Sequence, residues 1–252
     1  LSDTFIRFDL GKSWITSVPI VDSINERLPR TIVLTLVTAL ISFGAGIPLG
    51  ITAAVHQNKW QDSLCMLVAL IGASIPDFVI ALVLLLIFSF RLKWTPVFGT
   101  DTWTGWILPV VTMGLAKIGS IARLTRSSML EVSRSDYVTT ARMKGVPERV
   151  IRYSHELPNA LIPVVTTLGA SFAGALGGAV VIESVFSIGG VGTYMVTAIG
   201  NRDYPCIRGS VLVLSLLFCV LMLLIDLIYA YIDPRIKAQY ENAQKRRLKV
   251  NG

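Results

Sequence analysis

Five long apolar segments limit the folds that this chain can adopt. They comprise residues 31–55, 64–90, 106–122, 160–182 and 211–232, and none carries more than one charged side chain. A helix needs roughly 20 mostly apolar residues to cross the hydrocarbon core of a bilayer. We therefore predict an all-α membrane protein with five transmembrane helices. Residues 106–122 form the shortest segment, for which a re-entrant or interfacial helix is the alternative.

Composition also favours a membrane protein over a soluble one. Of the 252 residues, 53% are hydrophobic and 15% are charged, whereas about a quarter of the residues in soluble domains are charged. The net charge of +7 would suit a nucleic-acid partner, but the basic residues fall mainly in the loops between apolar segments. No nucleic-acid partner is therefore expected.

Patterns that carry catalysis or bind metals are missing from the sequence. It contains no GxxxxGK[ST] or GxGxxG phosphate loop, no HExxH and no GxSxG. The three cysteines Cys65, Cys206 and Cys219 form no CxxC pair, and the two histidines lie far apart. We expect no catalytic residue, no metal site and no enzymatic activity of the chain itself.

The distribution of lysine and arginine predicts the orientation in the membrane. Loops 56–63, 123–159 and 233–252 hold 14 of these residues in 65 positions, whereas segments 1–30, 91–105 and 183–210 hold 8 in 73. Positively charged loops stay on the cytoplasmic side, so the first set, with the C-terminus, is predicted to be cytoplasmic. Residues 1–30 are then external. This implies an upstream transmembrane helix that the sequence lacks, and six spans with both termini in the cytoplasm.

Charged side chains interrupt three of the apolar segments: Asp77, directly after Pro76, then Lys117 and Asp226. Proline removes a helical hydrogen bond, so Pro76 should bend or break the second span. A charge at the bilayer centre costs roughly 2.5–3.5 kcal/mol by insertion scales, so each should face protein or water. Together with Glu183, these residues are candidates for a polar translocation path. Structural pairs, or positions near the membrane surface, are the alternative.

The polar loop 123–159 has the pattern of two short helices. A helical run from Asp136 ends at Gly145, a residue type that suits the left-handed position after a helix. Pro147 suits the first turn of a second helix, which is predicted to run to about Glu156. Residues 157–159 are then predicted to turn the chain into the next span. This compact feature is a surface for a partner protein, with a plain solvated loop as the alternative.

The same loop resembles the EAA motif of ATP-binding-cassette importer permeases, E-A-A-x3-G-x9-I-x-L-P. Thr139, Thr140 and Ala141 stand at E-A-A, Gly145 is the glycine, His155 replaces the isoleucine, and Leu157 and Pro158 complete the motif. ARLTRSSMLEV at 122–132, DYVTTARMKG at 136–145 and NALIPVV at 159–165 are similar to one subfamily, the dipeptide, oligopeptide and nickel permeases. Stretches such as DLGKS at 9–13 and RDYP at 202–205 extend the resemblance over essentially the whole chain.

The resemblance implies a type I importer permease fold whose first transmembrane helix is absent from this sequence. Residues 1–30 would be an external segment, 31–232 the transmembrane domain with its coupling loop 123–159, and 233–252 a cytoplasmic tail. The protein would lie in a bacterial or archaeal cytoplasmic membrane. The family usually has a proline where this chain has Gly189. This difference affects the rigidity of the turn that contains Gly189.

In such importers the EAA loop docks on a cytoplasmic ATPase subunit. The resemblance thus implies that this chain is a non-catalytic subunit embedded in membrane lipid. It would pair with a second, similar permease. Two ATP-binding subunits and an external substrate-binding protein would complete the assembly. ATP and Mg²⁺ would be used by the ATPase subunits, and this chain would bind no cofactor. The implied docking residues are Thr139, Thr140, Ala141, Arg142, Lys144, Gly145, Pro147, Arg149, Leu157 and Pro158.

The implied substrate is a dipeptide or oligopeptide, with nickel or a metal chelate as the alternative within the same family. An ion-coupled secondary carrier using Asp77, Lys117 and Asp226 is the alternative of another class. Such carriers often contain inverted repeats, and none is evident in the sequence. The match to the coupling loop therefore favours the ATP-driven importer.

Overall fold

The structure, a computed structural model, describes residues 9–232. Within that range the side chains of residues 168–174, 176, 226 and 228–232 are outside the description. The side chain of Asp226, a predicted path residue, and the predicted cytoplasmic tail 233–252 therefore lie outside the description.

The described chain folds into helices joined by short turns. The helices are α1 (Ile20–Val55), α2 (Trp60–Ser74), α3 (Asp77–Leu84), α4 (Ile107–Ser133), α5 (Asp136–Met143), α6 (Glu148–Val150), α7 (Leu157–Phe186), α8 (Val191–Gly200) and α9 (Tyr204–Ile232). Wider π-helical turns cover Leu85–Arg91 and Ile151–Glu156, and a 3₁₀ turn covers Trp103–Trp106. Residues 9–232 contain no β-strand beyond one isolated bridge between Lys12 and Pro19. The predicted all-α fold class is confirmed.

Three helices are long and apolar enough to cross a membrane: Ile20–Val55, Trp103–Ser133 and Tyr204–Ile225. Two bent pairs, Trp60–Ser74 with Asp77–Arg91 and Gly177–Phe186 with Val191–Gly200, pass the same test when taken together. Length and composition thus allow up to five spans if each bent pair counts as one. The first helix begins at Ile20, inside the segment that the sequence places before the first span.

Pro76 breaks the second predicted span, as expected. Helix α2 ends at Ser74, Ile75 is extended with φ −100° and ψ 127°, and α3 begins directly after Pro76. The residue before a proline is driven out of the helical region because the proline ring would clash with it. The two helices consequently meet at an angle of 100°.

Helix α4 lies at the centre of the bundle, where it packs against α1, α2, α3 and α7. Its close contact with α1 depends on Gly46 and Gly50. A β-carbon at Gly50 would lie 2.5 Å from Thr125 Cβ, and one at Gly46 would lie 2.8 Å from Ile121 Cγ2. Small residues let helix backbones approach closely in membranes. The sequence predicts that this span ends at residue 122. Helix α4 instead continues to Ser133, because α1 packs against its additional turns.

The core between α1, α3, α4 and α7 is apolar, and the outer helix faces are apolar as well. Large exposed side chains such as Leu40, Leu216 and Leu223 leave much of α1 and α9 without a partner within the described chain. This distribution suits helices that contact lipid. The buried core comprises Leu34, Ala81, Leu108, Val110, Met113, Ala175, Ala179, Ile182, Phe186 and Ile188.

A buried carboxylate fastens the N-terminal segment to the turn between α8 and α9. Asp203 accepts hydrogen bonds from the Ser13 hydroxyl, the Trp14 N–H and the Cys206 thiol. Burial by itself would raise the pKa of Asp203, but these hydrogen bonds to the charged form outweigh it and the pKa is lowered. The DLGKS and RDYP stretches therefore meet in one cluster.

The packing of α1 on α4 predicts that alanine is tolerated at one glycine of α1 and destabilising at another. Gly50→Ala should lower the melting temperature in detergent, since its methyl group must displace Thr125 and overpacking costs about 1–3 kcal/mol. Gly44→Ala is the matched control, because no atom lies within 4 Å of its β-carbon position. Equal melting temperatures for the two variants would contradict the close α1–α4 contact.

Candidate functional site

The predicted coupling loop forms two helical segments joined by a glycine turn. The Val146 N–H donates to the Ala141 carbonyl at 3.2 Å, and the Gly145 N–H donates to the Arg142 carbonyl at 3.0 Å. This is the hydrogen-bond pattern of a Schellman C-cap. Gly145 has φ +76°, a conformation that a side chain disfavours. The predicted end of the first helix at Gly145 is confirmed, while Pro147 precedes the second helix instead of lying within its first turn.

The predicted turn at residues 157–159 is wrong, because the second segment continues directly into α7. Glu156 and Leu157 both have helical backbone angles, −81°/−55° and −58°/−48°. Pro158 lacks an N–H, and its ring would clash with the carbonyl four residues earlier in an ordinary helix. The wider π-helical turn over Ile151–Glu156 accommodates it. Helix α7 is thereby extended into the coupling loop.

Arg142 binds the separate parts of the coupling loop together. Its guanidinium donates to Glu148 Oε1 at 2.9 Å, to Glu156 Oε1 at 3.0 Å and to the Ser133 carbonyl at 3.1 Å. Glu156 is buried, whereas Arg142 and Glu148 are partly open to solvent. This one side chain links the end of α4, helix α5 and the extension of α7. Sequence reasoning assigned Arg142 to the partner's surface, and the structure gives its guanidinium an internal role.

Most of the other predicted docking residues lie on the surface. Ala141 and Leu157 are half-buried, and the rest are exposed, namely Thr139, Thr140, Lys144, Gly145, Pro147, Arg149 and Pro158. Large apolar side chains lie exposed among them: Tyr137, Met143, Val150 and Tyr153. Met143 is the extreme case, with 82% of its surface exposed. Sequence reasoning missed these four, although large apolar residues in a polar loop are a signal for a contact surface.

The structure brings two of the predicted path residues together. Asp77 begins α3 and lies within electrostatic range of Lys117 of α4, although these two side chains form no direct ion pair. The Asp77 carboxylate also lies against α7, since its Oδ2 is 3.7 Å from a β-carbon built at Gly178. Both charged side chains are half-buried. The break at Pro76 thus places a carboxylate where α3, α4 and α7 meet.

Glu183 has a different environment from the other predicted path residues. Its side chain is fully buried, accepts the Thr31 hydroxyl at 2.6 Å and accepts the Thr193 N–H at 3.1 Å. A carboxylate at a helix N-terminus satisfies free N–H groups and interacts favourably with the helix dipole. A β-carbon at Gly192 would lie 2.9 Å from Glu183 Oε2. The glycine cluster therefore makes room for a carboxylate that caps α8 and joins it to α1.

The turn before α8 needs a residue that can adopt a positive φ. Gly189 has φ +69°, whereas proline is locked near −65°. The Gly189 carbonyl accepts a hydrogen bond from Arg30 at 3.2 Å. A proline at this position would therefore require a different course of the backbone.

Comparisons with known proteins agree with this arrangement. Residues 46–238 match the family described as "Binding-protein-dependent transport system inner membrane component". The chain is 40% identical over 232 residues to the glutathione transport system permease protein GsiC of Escherichia coli O6:H1, covering 92% of this chain and 76% of that protein. It is 41% identical over 257 residues to the dipeptide transport system permease protein DppB of Alkalihalophilus pseudofirmus, covering 91% and 77%.

Solved structures show the same fold at low sequence identity. The methionine ABC transporter MetNI, in inward-facing conformations, gives a TM-score of 0.71 at 17% identity, covering 86% of this chain and 100% of that chain. An amino acid ABC transporter gives a TM-score of 0.60 at 14% identity, covering 85% and 94%. These two likenesses concern the fold alone.

The chain is thus a permease subunit of an ATP-binding-cassette importer, with the type I permease fold. It belongs to the family of inner-membrane components of binding-protein-dependent transport systems. Members of that family are multi-pass membrane proteins that work with ATPase and binding-protein components. The resemblance of the chain to such permeases is confirmed.

The Arg142 network predicts how the coupling loop responds to loss of one side chain. Arg142→Met removes the partner of buried Glu156, and hydrogen bonds to charged groups contribute about 1.5–3 kcal/mol each. Backbone amides of residues 136–156 should therefore exchange hydrogen faster, as measured by mass spectrometry on the detergent-solubilised protein. Lys144→Met, two residues away on the exposed surface, is the control and should leave exchange unchanged. Equal protection in both variants would contradict the network.

Proposed function

We propose that this chain moves dipeptides or oligopeptides across the cytoplasmic membrane as the non-catalytic permease of an ATP-driven importer. The names of two relatives support the substrate class, since both GsiC and DppB are named for transport of small peptides. ATP and Mg²⁺ would be used by two separate ATPase subunits, and this chain would bind neither. A second, similar permease and an external binding protein would complete the assembly, with the C-terminus of this chain in the cytoplasm.

The observation that carries this proposal is the rigid coupling loop with its exposed surface. Helix α5 and the extension of α7 present Met143, Tyr153 and the predicted docking residues to solvent. Exposed apolar side chains rimmed by charged residues are typical of protein contact surfaces. An ATPase subunit bound there would contact the coupling loop, which Arg142 attaches to α4 and which is continuous with α7.

The same connections suggest how movement at the loop would reach the substrate. Helix α4 carries Lys117 and helix α7 carries Gly178, and both flank Asp77 at the break in the second span. A shift of α4 and α7 would change the space around Asp77. We therefore place the translocation path beside Pro76, Asp77 and Lys117, with Glu183 as a structural cap near its outer end.

Docking at the coupling loop predicts that a charge at Met143 weakens binding of the ATPase subunits. In Met143→Glu the buried apolar contact would be replaced by an unpaired carboxylate, which is costly at an interface. Co-purification of ATPase subunits should fall strongly, and Gly145→Glu should act in the same direction. Lys93→Glu, in the loop predicted to be external, is the control. Undiminished co-purification with Met143→Glu would count against the docking surface.

The path proposal predicts a transport defect when Lys117 is neutralised. Lys117→Met leaves Asp77 without its opposite charge, so uptake of a labelled dipeptide into proteoliposomes should fall several-fold. The amount of assembled complex is measured in parallel, and Ser120→Ala on the exposed side of α4 is the control. Normal uptake together with normal stability would leave Lys117 as a tolerated interfacial charge. Uptake of ⁶³Ni²⁺ in place of peptide would overturn the proposed substrate.

A further inference from the structure

Residues 122–132 of α4 (ARLTRSSMLEV) have no role in the function described so far. Their side chains lie on two faces of the helix. One face meets α1, where Ala122 and Thr125 pack against Gly50. The other face meets α2, where a β-carbon at Gly119 would lie 2.7 Å from Ala69 Cα. Arg123 donates to the Ala69 carbonyl at 3.3 Å on this second face. The stretch therefore holds α1 and α2 to the same helix.

An ion pair completes the α2 contact at its cytoplasmic end. Arg126 donates to both carboxylate oxygens of Asp62, with Nη2 2.6 Å from Oδ2 and Nε bonded to Oδ1. Such a bidentate pair fixes both distance and orientation. The Asp62 side chain is only 5% exposed, and the Arg126 side chain is 23% exposed. Few alternative partners are therefore open to either group.

The same carboxylate also holds the turn between α1 and α2. Asp62 Oδ2 accepts the Asn58 N–H at 3.0 Å, and Asn58 has φ +61°. Asp62 lies in the first turn of α2, where an acidic side chain can bond back to the preceding backbone. One side chain thus determines the course of the turn and its attachment to α4.

Packing alone would not require charged residues at this position. A buried ion pair contributes little net stability compared with a well-packed apolar pair of similar volume, although removal of one partner is strongly destabilising. Its distinctive property is directional contact, because apolar surfaces can slide past one another and a bidentate pair cannot. The pair lies two helical turns before Ser133, which Arg142 of the coupling loop contacts. An apolar cluster of Ala54, Met129 and Ala160 fills the space nearby.

We infer that Asp62 and Arg126 are positioning residues for energy coupling: they lock the α1–α2 hairpin to α4, so that the hairpin and the coupling loop move as one unit. The inference rests on the proposed function, since it assigns the pair to the transmission of ATPase movement. It assigns residues 124–128 of α4 (LTRSS) a function distinct from ATPase docking. Neither residue touches the proposed path or the docking surface.

The test uses the complete importer, purified with its ATPase and binding-protein subunits and reconstituted in proteoliposomes. Uptake of a labelled dipeptide and ATP hydrolysis are measured on the same preparation, and their ratio is compared per assembled complex. Wild type must first show ATP-dependent uptake; if it does not, the proposed function fails, independently of this inference. The variants are Asp62→Asn, Arg126→Gln and the double variant, with Arg126→Lys as a milder change that keeps the charge.

We expect the uptake-to-hydrolysis ratio to fall about fivefold or more in each single variant, the lower range of measured coupling energies between sites. The double variant should be no worse than either single one, because both remove the same contact. Arg126→Lys should fall in between, since a lysine cannot reproduce the bidentate geometry. Lys59→Gln removes an exposed charge beside the same turn and should match wild type.

A purely structural role would give a different result. It would lower the yield of assembled complex in the single variants and leave the ratio per assembled complex at the wild-type value. That outcome would overturn the inference, as would a ratio in Arg126→Lys equal to wild type. Should Asp62→Asn fail to assemble, the Arg126→Lys ratio decides the question alone.

Discussion

Polar groups within the spans of this protein need partners from the protein itself, because lipid offers none. The buried carboxylate of Glu183 shows how far this requirement shapes the fold. It accepts the Thr31 hydroxyl and the N–H of Thr193, so that α1, α7 and α8 meet around one side chain. The adjacent glycines have no β-carbon, which leaves room for the carboxylate. An unpaired group at such a site would cost several kcal/mol.

The end of the protein that carries loop 123–159 follows the same rule with a different result. There the ion pairs connect neighbouring elements: Asp62 with Arg126 joins α2 to α4, and Arg142 with Glu156 joins α5 to the extension of α7. Exposed ion pairs contribute little, but one carboxylate of each of these pairs is buried. The predicted coupling loop is therefore bonded to the transmembrane bundle. Under the proposed function, a partner that binds the loop would move α4 and α7 through these contacts.

Several features of the fold followed from local chemistry alone. The apolar segments predicted an all-α membrane protein, Pro76 predicted a broken second span, and Gly145 predicted the end of α5. Each depends on a property of one residue or one short window. The predicted turn at residues 157–159 is wrong, because a π-helical turn accommodates Pro158 and the helix continues. The sequence predicts that the third span ends at residue 122, whereas α4 continues to Ser133. The prediction is wrong there because the polar residues of these additional turns are buried against α1 and α2.

The sequence by itself determined the class of the protein: apolar segments of spanning length, the coupling-loop motif and the basic loops identify a permease. Only the tertiary structure decided which polar side chains meet, because the partners lie far apart in the chain. Asp62 and Arg126 are separated by 64 positions, and Thr31 and Glu183 by 152. Spacing within a helix carries no information about such pairs. Likewise, only the structure shows that Arg142 bonds to Ser133, Glu148 and Glu156, and its contact with an ATPase subunit stays a prediction.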